Sequence, residues 1–364
     1  MTAQTTLPHV ETAKAAGLDY VTDAEPGIRR KRVGRGWAYY EPTGVLIQSR
    51  TERRRLNALA IPPAWTDVWI CPNPNGHLQV TARDKKGRKQ YRYHPRFREK
   101  RDESKFGRML AFSEVLPRVR ERVERDLRRR GLPRDKVLAT VVWLLERTFF
   151  RVGNVAYAKH NRSYGLTTLR RRHVQVTGSR LRFEFRGKSG VTRTASITDR
   201  RIARIVQSCR ELPGLELFKY LDDEGRRQKV DSDDINEYLR HITGRDITAK
   251  DFRTWAGTIL AAVELSRRGP APSERQANKN VVQAIDEVAR HLGNTRAVCR
   301  KYYVHPAIIE AYLKGEVMPP PPPSTPNGED HRSGTPAALR REEVAVLQFL
   351  QRVLDREVRK AHEH

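Results

Sequence analysis

The sequence predicts an α+β protein, with a small antiparallel β-rich domain at the N-terminus and a mainly α-helical domain after it. Three observations lead to this fold class. Short runs rich in aromatic and β-branched residues fill the first hundred positions, and apolar residues recur at helical spacing from about residue 98 onward. Within the helical part, one stretch alternates with a period of two, which predicts a short three-stranded β-sheet there.

The β-rich part is built from four short runs that Pro, Asn and Gly turns separate: GWAYYEP, DVWIC, HLQVTARD and QYRYH. Runs of this length and composition, bounded by turn residues, are typical of antiparallel strands joined by hairpins. We therefore expect a β-rich N-terminal domain over residues 1–98.

The helical part has clear start and stop signals. Four segments carry the helical period: SEVLPRVRERVERDLRRRGLP, DKVLATVVWLLERTFF, TAKDFRTWAGTILAAVELS and NVVQAIDEVARHLG. Thr248, with Asp251 three residues later, is predicted to cap one helix, and Gly293 is predicted to end another. The first of these segments is expected to close at Gly131, and the second to carry Phe149 on its apolar face. Between the second and third segments, the apolar positions from Leu181 to Phe185 alternate with charged ones, and GKSG predicts a hairpin turn.

The chain after this core changes composition. A mainly helical domain is expected over residues 99–317 and a Pro-rich linker over 318–337, because MPPPPPSTPNGEDHRSGTP cannot pack a core. A C-terminal amphipathic helix is expected over 338–364. Its apolar residues at helical spacing are Leu347, Leu350, Leu354 and Val358. The pattern allows this helix to dock on the body of the protein or to meet a partner, and we slightly favour docking.

The charge balance indicates a polyanionic partner. Lys and Arg total 71 against 43 Asp and Glu, a formal net charge of +28. Such an excess opposes compaction unless a partner neutralises it, and nucleic acid is the first candidate. The three cysteines are odd in number and far apart, which argues against a disulfide framework. With no apolar run long enough for a membrane span and no signal peptide, a cytoplasmic protein is expected.

Motifs for nucleotide or metal chemistry are absent from the sequence. There is no GxxxxGK[ST] loop, no HExxH motif, no Cys/His cluster and no paired acidic motif, so we expect no cofactor and no metal. An enzyme that acts on phosphodiesters under those conditions must take its positive charge from side chains. Arginine suits this role, because its planar guanidinium is always charged and holds two phosphate oxygens at once.

Four motifs in order carry a family resemblance. FFRVGN, FRGKSG, TAKDFRTW and GNTRAVCRKYY resemble the active-site segments of type IB DNA topoisomerases, in particular the compact poxviral and bacterial branch. The resemblance covers roughly residues 20 to 315. It implies the helical catalytic fold shared with tyrosine recombinases, and a monomer that closes around double-stranded DNA as a clamp, in the nucleoid of a bacterial cytoplasm.

The resemblance assigns roles to four residues of these motifs. Arg151 and Arg253 match the two arginines that hold the scissile phosphate, and Lys188 matches the hairpin lysine that acts as general acid. Asn294 takes the place of a histidine found in the poxviral and eukaryotic nuclear enzymes. An asparagine donates a hydrogen bond at this position but cannot become a cation.

The resemblance also selects the nucleophile from a pair of neighbouring tyrosines. Tyr303 lies nine positions beyond Asn294, as in the family, and Tyr302 precedes it. The implied reaction is attack of Tyr303 on a DNA phosphorus with loss of the 5′-oxygen, which leaves a 3′-phosphotyrosyl bond. One phosphodiester replaces another, so religation after strand rotation needs no ATP.

Further residues are expected to contact DNA. DKKGRKQYRYH resembles the DNA-contacting segment of the same branch, and cations, a glutamine and tyrosines suit phosphate and base contacts. The expected contacts are Lys86, Arg88, Gln90, Tyr91, Tyr93, Tyr157 and Lys250.

Two other functions stay open at this point. A tyrosine recombinase shares the catalytic set, but it usually shows HxxR where this chain has KDFR, with Lys250 in place of the histidine. A non-enzymatic, nucleoid-associated DNA-binding protein would need basic charge and aromatic residues, but no ordered series of Arg, Lys, Arg, Asn and Tyr. In that case Arg151 would only satisfy carbonyls at a helix end, Asn294 would only end a helix, and Tyr303 would only contact phosphate.

Overall fold

The computed structural model describes the backbone of residues 6–85, 87–320 and 339–362, and all their side chains except those of residues 6–8, 101–106 and 357–362. The chain forms two compact units, residues 1–107 and 108–364. The division at residues 98, 317 and 337 stays a prediction. The first of these positions lies inside helix α3 (Pro95–Leu127), and most of the expected linker lies outside the described residues.

The first unit is built around short antiparallel strands. Its elements before α3 are α1 (Thr6–Ala15), β1 (Arg29–Val33), β2 (Gly36–Tyr40), α2 (Arg50–Ala58), β3 (Thr66–Ile70), β4 (Leu78–Arg83) and β5 (Lys89–Tyr93). β1 and β2 form a hairpin, and β3, β4 and β5 form an antiparallel sheet in sequence order. Strand β4 is buried along most of its length, because one core lies around Leu56, Ile70 and Val80.

The second unit is mainly helical. Its elements after α3 are α4 (Arg134–Thr148), α5 (Val155–Asn161), β6 (Val174–Thr177), β7 (Arg180–Arg186), β8 (Thr192–Thr198), α6 (Arg200–Glu211), β9 (Lys219–Leu221), β10 (Arg227–Lys229), α7 (Ser232–Thr243), α8 (Ala249–Arg268), α9 (Glu274–Leu292), α10 (Arg296–Tyr302), α11 (Pro306–Leu313) and α12 (Arg341–His362). Strands β6, β7 and β8 form an antiparallel sheet in that order. The predicted α+β fold class, with this three-stranded sheet in the helical part, is confirmed.

The periodic patterns of the sequence correspond to burial in the second unit. In β7, burial alternates residue by residue, with the apolar side chains from Leu181 to Phe185 inside and the charged ones outside. Helix α8 begins as predicted, because the Asp251 carboxylate accepts hydrogen bonds from the Thr248 N–H and Oγ1, both at 2.8 Å. Gly293 ends α9 with φ +59°, the left-handed conformation that glycine adopts without strain.

Two predicted helix ends were wrong. The basic helix expected to close at Gly131 ends at Leu127. Phe149, which the apolar period places on the face of α4, follows the last helical residue and adopts φ +54°. This left-handed residue turns the chain at the end of α4 and so sets the direction of Arg151, two residues later.

The C-terminal helix α12 docks on the body of the second unit. Val346, Phe349 and Leu350 are buried, and α12 packs against α8 and α11. The Glu343 carboxylate accepts from Arg120 at 2.8 Å and from the Trp255 indole at 3.1 Å. Of the two arrangements that the sequence left open, docking is the observed one. Val358 lies outside the residues whose side chains are described.

Candidate active site

Two adjoining clefts lie in the second unit, with volumes of about 1020 and 290 Å³. The larger one is bordered by the end of α4, the β7–β8 hairpin, the end of α9 and α10. Both clefts are lined by four of the residues expected to contact DNA or to react with it: Arg151, Lys188, Lys250 and Tyr303. Side chains far apart in sequence therefore converge on one place.

Arg151 and Asn294 are in direct contact. The Nη2 of Arg151 donates a hydrogen bond to Oδ1 of Asn294. Asn294 follows the glycine that ends α9, and its N–H donates to the Ala289 carbonyl at 3.0 Å, so the helix end fixes its backbone. Its Nδ2 is buried and has no hydrogen-bond partner within the described residues. This arrangement leaves an oriented amide donor beside a guanidinium.

Arg253 is the buried cation of the site, with a relative exposure of 3%. From the first turns of α8, its Nη1 donates to the Phe149 carbonyl and its Nη2 to the Leu292 carbonyl at 2.9 Å, at the ends of α4 and α9. Burial is the main reason that the pKa of Arg253 falls to about 10. Its Nε is buried and lacks a partner in the part of the chain that is described.

Tyr303 lies against this arginine. The Cζ atom of Arg253 is 5.0 Å from the centroid of the Tyr303 ring. The backbone of Tyr303 approaches α8 closely at Gly257, where a Cβ atom would come within 3.1 Å of the tyrosine Cβ. The Thr258 hydroxyl donates to the Tyr303 carbonyl at 3.4 Å. A glycine inside α8 thus allows the contact that places the phenol, which explains a residue type that usually weakens helices.

The electrostatic environment of Tyr303 stabilises its ionised form relative to that of a free tyrosine. Burial acts to raise the pKa of this phenol, but the positive charges of Arg253, Arg151 and Lys250 together hold the pKa below its usual value of 10.0. Tyr302 lines the larger of the two clefts but not the smaller, and the Lys301 Nζ lies 5.5 Å from its ring centroid. The geometry therefore distinguishes the two neighbours, and it sets Tyr303 beside the arginines.

Lys188 lies at the tip of the β7–β8 hairpin. The turn is closed by a hydrogen bond from the Gly187 N–H to the Val191 carbonyl at 2.8 Å, and Ser189 adopts φ +63°. The lysine side chain is exposed, and its Nζ lies 5.8 Å from the ring of Tyr157 on α5. This hairpin presents an ammonium group to the same clefts that contain Tyr303.

Five of the cations that line the clefts have no acidic partner among the described residues, whereas Arg290, which also lines the larger cleft, pairs with Glu287. Within the described residues, no carboxylate lies within ion-pair distance of Arg151, Lys188, Arg193, Lys250 or Arg253, although ion pairs are frequent elsewhere in the chain. Concentrated positive charge of this kind is stable beside an anion, and a planar guanidinium suits a phosphate. The site is therefore chemically suited to a phosphodiester.

Arg193 was missed in the sequence, although a signal for it exists. In β8, burial alternates, and the inward-facing positions are Arg193, Ala195 and Ile197. An arginine in register with apolar residues on the inner face of a strand is unusual, because a buried charge is costly without compensation. Period-two alternation could have selected this residue.

The expected DNA contacts of the first unit lie on or beside the β4–β5 hairpin. Arg88 and Gln90 both bind Asp84, at 2.6 and 3.0 Å, and Tyr91 is exposed. Tyr93 stacks on Phe97 with ring centroids 5.3 Å apart, so its ring belongs to a small apolar cluster. Lys86 lies outside the described residues. That these residues contact DNA stays a prediction.

The described residues contain neither a candidate metal centre nor a candidate membrane-spanning helix. No group of three or more His, Cys, Asp and Glu side chains there is arranged to hold a metal ion. No helix in that part of the chain is both long and apolar enough to cross a membrane.

Comparisons with known families match both units. The model described as "Eukaryotic DNA topoisomerase I, catalytic core" matches residues 94–316, and "Bacterial DNA topoisomerase IB, N-terminal domain" matches residues 36–84. The first match covers more than half of the chain and includes every residue to which a catalytic role was assigned.

Individual relatives carry the same family name. The chain is 31% identical over 293 residues to DNA topoisomerase 1B of Acanthamoeba polyphaga mimivirus, which covers 79% of this chain and 87% of that protein. It is 23% identical over 242 residues to DNA topoisomerase 1B of Vaccinia virus (strain Copenhagen), covering 64% of this chain and 72% of that protein. The chain therefore belongs to the type IB DNA topoisomerase family and is an enzyme of that family.

Proposed function

We propose that this protein relaxes supercoiled duplex DNA by cutting one strand through a 3′-phosphotyrosyl intermediate, allowing strand rotation, and resealing the strand without ATP or metal. One observation carries the proposal. The Tyr303 ring lies 5.0 Å from the buried Arg253 guanidinium, in a cleft whose cations lack acidic partners within the described residues. A nucleophile and an anion-binding site therefore coincide.

The first chemical step is attack by Tyr303. Its phenolate oxygen forms a bond to the scissile phosphorus, and the bond from phosphorus to the 5′-oxygen breaks. The cations that lower the pKa of Tyr303 make the phenolate more accessible at neutral pH. Because one phosphodiester replaces another, the reverse attack by the free 5′-hydroxyl reseals the strand with no external energy source.

Charge that builds on the non-bridging oxygens needs preorganised donors. Two donors of the site are buried and have no partner among the described residues: the Arg253 Nε and the Asn294 Nδ2. With the Arg151 guanidinium, they supply hydrogen bonds to the non-bridging oxygens of the pentacoordinate transition state without reorganising. Removal of one such donor typically slows a reaction by about 100- to 1,000-fold.

The departing 5′-oxygen needs a proton, because an alkoxide is a very poor leaving group. Lys188 is the assigned donor, since the hairpin brings its ammonium group to the edge of the clefts lined by Tyr303. General acid catalysis by a positioned side chain contributes roughly 100- to 10,000-fold. In the reverse direction the neutral lysine takes the proton back from the 5′-hydroxyl.

The proposal extends to how the chain holds DNA. A single chain is proposed to close around the duplex as a clamp in the bacterial nucleoid, with Tyr157, Lys250 and the β4–β5 hairpin contacting the strands. The net charge of +28 supports strong and salt-dependent binding. Sedimentation of the protein with a short duplex tests this part, and one chain per duplex is the expected stoichiometry.

A plasmid assay tests the central claim. Negatively supercoiled plasmid is incubated with the protein in EDTA and without ATP, beside Tyr303→Phe and the matched control Tyr302→Phe. The wild type and Tyr302→Phe are expected to produce a ladder of relaxed topoisomers, and Tyr303→Phe none. Denaturing gels and peptide mapping should place the covalently bound DNA on Tyr303.

Other outcomes separate the alternatives. Relaxation that requires magnesium or ATP, or that survives in Tyr303→Phe, would falsify the proposal. A recombinase would need paired specific sites and would relax plasmid poorly, and a binding protein would only retard it. An adduct lost in Tyr302→Phe instead would identify the other tyrosine as the nucleophile.

A further inference from the structure

Arg193 contacts three segments that each carry a residue of the proposed site. Its Nη2 donates a hydrogen bond to the His291 carbonyl at 2.8 Å, near the end of α9. Its Cζ lies 5.6 Å from the ring centroid of Phe150, the residue before Arg151. Arg193 itself stands on β8, in the hairpin that presents Lys188. A single side chain thus joins the surroundings of the general acid, of Arg151 and of Asn294.

Two glycines make room for this side chain. A Cβ atom at Gly293 would lie 2.6 Å from the Arg193 Cζ, and one at Gly187 would lie 2.9 Å from its Cγ. The guanidinium therefore packs directly on the backbone of the turn before Asn294, and the arginine stem packs on the backbone next to Lys188. Because these contacts are so close, any displacement of Arg193 also displaces the backbone next to Asn294 and next to Lys188.

No ion pair accounts for the position of Arg193. The described residues provide no carboxylate for it, and burial together with the charge of Arg151 lowers its pKa. A cation in such surroundings is held by geometry, through one carbonyl at a helix C-terminus and one aromatic face. An arginine that only stabilised the fold would be expected to gain more from a carboxylate partner.

We propose that Arg193 is a positioning residue that holds the Lys188 hairpin against the turn carrying Asn294, so that the Lys188 ammonium reaches the departing 5′-oxygen. The inference rests on the proposed function, because it concerns delivery of a proton during strand cleavage. Proton transfer depends steeply on distance, and a misplacement of about 1 Å can slow a reaction by about 100-fold. Loss of Arg193 should therefore slow cleavage mainly by weakening proton donation from Lys188.

The leaving group provides a readout that separates positioning from general stability. A cleavage site is first mapped, and a duplex is made in which sulfur replaces the 5′-bridging oxygen at that site. A thiolate is a far weaker base than an alkoxide and leaves without a proton. A defect in proton delivery therefore shrinks on the sulfur substrate, whereas a defect in phosphate contacts does not.

The experiment compares single-turnover cleavage of both duplexes by the full-length protein. Arg193→Met, which keeps most of the apolar stem, is expected to cleave the oxygen substrate about 100-fold more slowly than the wild type. On the sulfur substrate its defect should shrink to less than about tenfold, as for Lys188→Ala. Arg253→Ala should be impaired equally on both. Thr198→Ala, an exposed position on the same strand, should match the wild type.

A second variant covers the case in which Arg193→Met folds poorly. Gly293→Asn keeps the left-handed backbone accessible, because asparagine tolerates it, yet its Cβ displaces the guanidinium. The Gly293→Asn variant retains both Arg193 and Lys188. Its cleavage defect should nevertheless be smaller on the sulfur substrate than on the oxygen substrate, as for Arg193→Met. The inference is overturned if either folded variant cleaves the oxygen substrate at the wild-type rate, or is slowed equally on both substrates. Wild-type protein that forms no Tyr303 adduct with either duplex would overturn the proposed function as well.

Discussion

The β4–β5 hairpin of the first unit and the β7–β8 hairpin of the second carry similar cations, but these cations have different partners. In the first hairpin, Arg88 pairs with Asp84 at 2.6 Å and Lys89 with Asp23 at 2.5 Å. In the second hairpin, Lys188 and Arg193 have no carboxylate within ion-pair distance among the described residues. Basic composition alone therefore does not distinguish a neutralised surface from a site that awaits an anion.

The difference has a physical consequence. An exposed ion pair contributes little to stability, about 0 to 1 kcal/mol, and its charges largely cancel towards a distant ligand. Cations without acidic partners attract a phosphate with their full charge, but their mutual repulsion lowers the stability of the protein in the absence of DNA. The second hairpin should thus govern the rate of the reaction, and the first should affect only binding.

The largest effect is expected from the second hairpin. Lys188→Ala should slow single-turnover DNA cleavage by about 100- to 10,000-fold, because the alkoxide would leave without a proton. Lys188→Arg should not restore the rate, since a guanidinium does not release its proton. Arg182→Gln is the matched control, because Arg182 is exposed on β7 of the same hairpin and pairs with Glu184 at 3.4 Å. A Lys188→Ala enzyme with wild-type cleavage would refute the contrast between the hairpins.

An intermediate effect is expected on the ionisation of Tyr303. The difference in tyrosinate absorbance between wild type and Tyr303→Phe, measured without DNA, should have its midpoint below pH 10.0, because the cations outweigh burial. Lys250→Gln removes one cation and should move this midpoint upward. Lys301→Gln, next to Tyr302, should leave it unchanged. A midpoint at or above that pH would show that burial dominates instead.

The smallest effect is expected from the first hairpin. Arg88→Gln should leave the single-turnover cleavage rate of bound DNA unchanged, because this cation is far in sequence from the reacting groups and already has Asp84 as a partner. It should reduce the slope of log K against log salt by no more than about 0.9, the value for one phosphate contact. Binding titrations at several salt concentrations measure that slope. A large loss of cleavage rate in Arg88→Gln would contradict the comparison.

Much of the fold follows from local patterns. The alternation from Leu181 to Phe185 predicted β7, and Gly293 predicted the end of α9, because period and capping depend on neighbouring residues. Predictions failed where tertiary contacts decide. Phe149 fits the apolar period of α4 but leaves the helix, and the Arg253 guanidinium binds its carbonyl there.

The candidate site also combines residues that local motifs identify with residues that only tertiary contacts identify. The order of four motifs in the sequence selected Arg151, Lys188, Arg253, Asn294 and Tyr303 as a set, and the structure brings them to adjoining clefts. Their catalytic roles stay predictions. Motif order did not select Arg193 or Gly257, since their importance lies in contacts with segments about 100 and 46 positions away in the sequence.

The sequence by itself determined the fold class, the family and the set of candidate reactive residues, because residue type and local spacing are properties of the chain. Only the tertiary structure decided which tyrosine lies against Arg253, which cations lack acidic partners among the described residues, and whether α12 docks. Those outcomes depend on long-range packing, and distant segments meet only when their buried surfaces fit one another. The electrostatic field at Tyr303 is a sum over such segments, so no single stretch of sequence contains it.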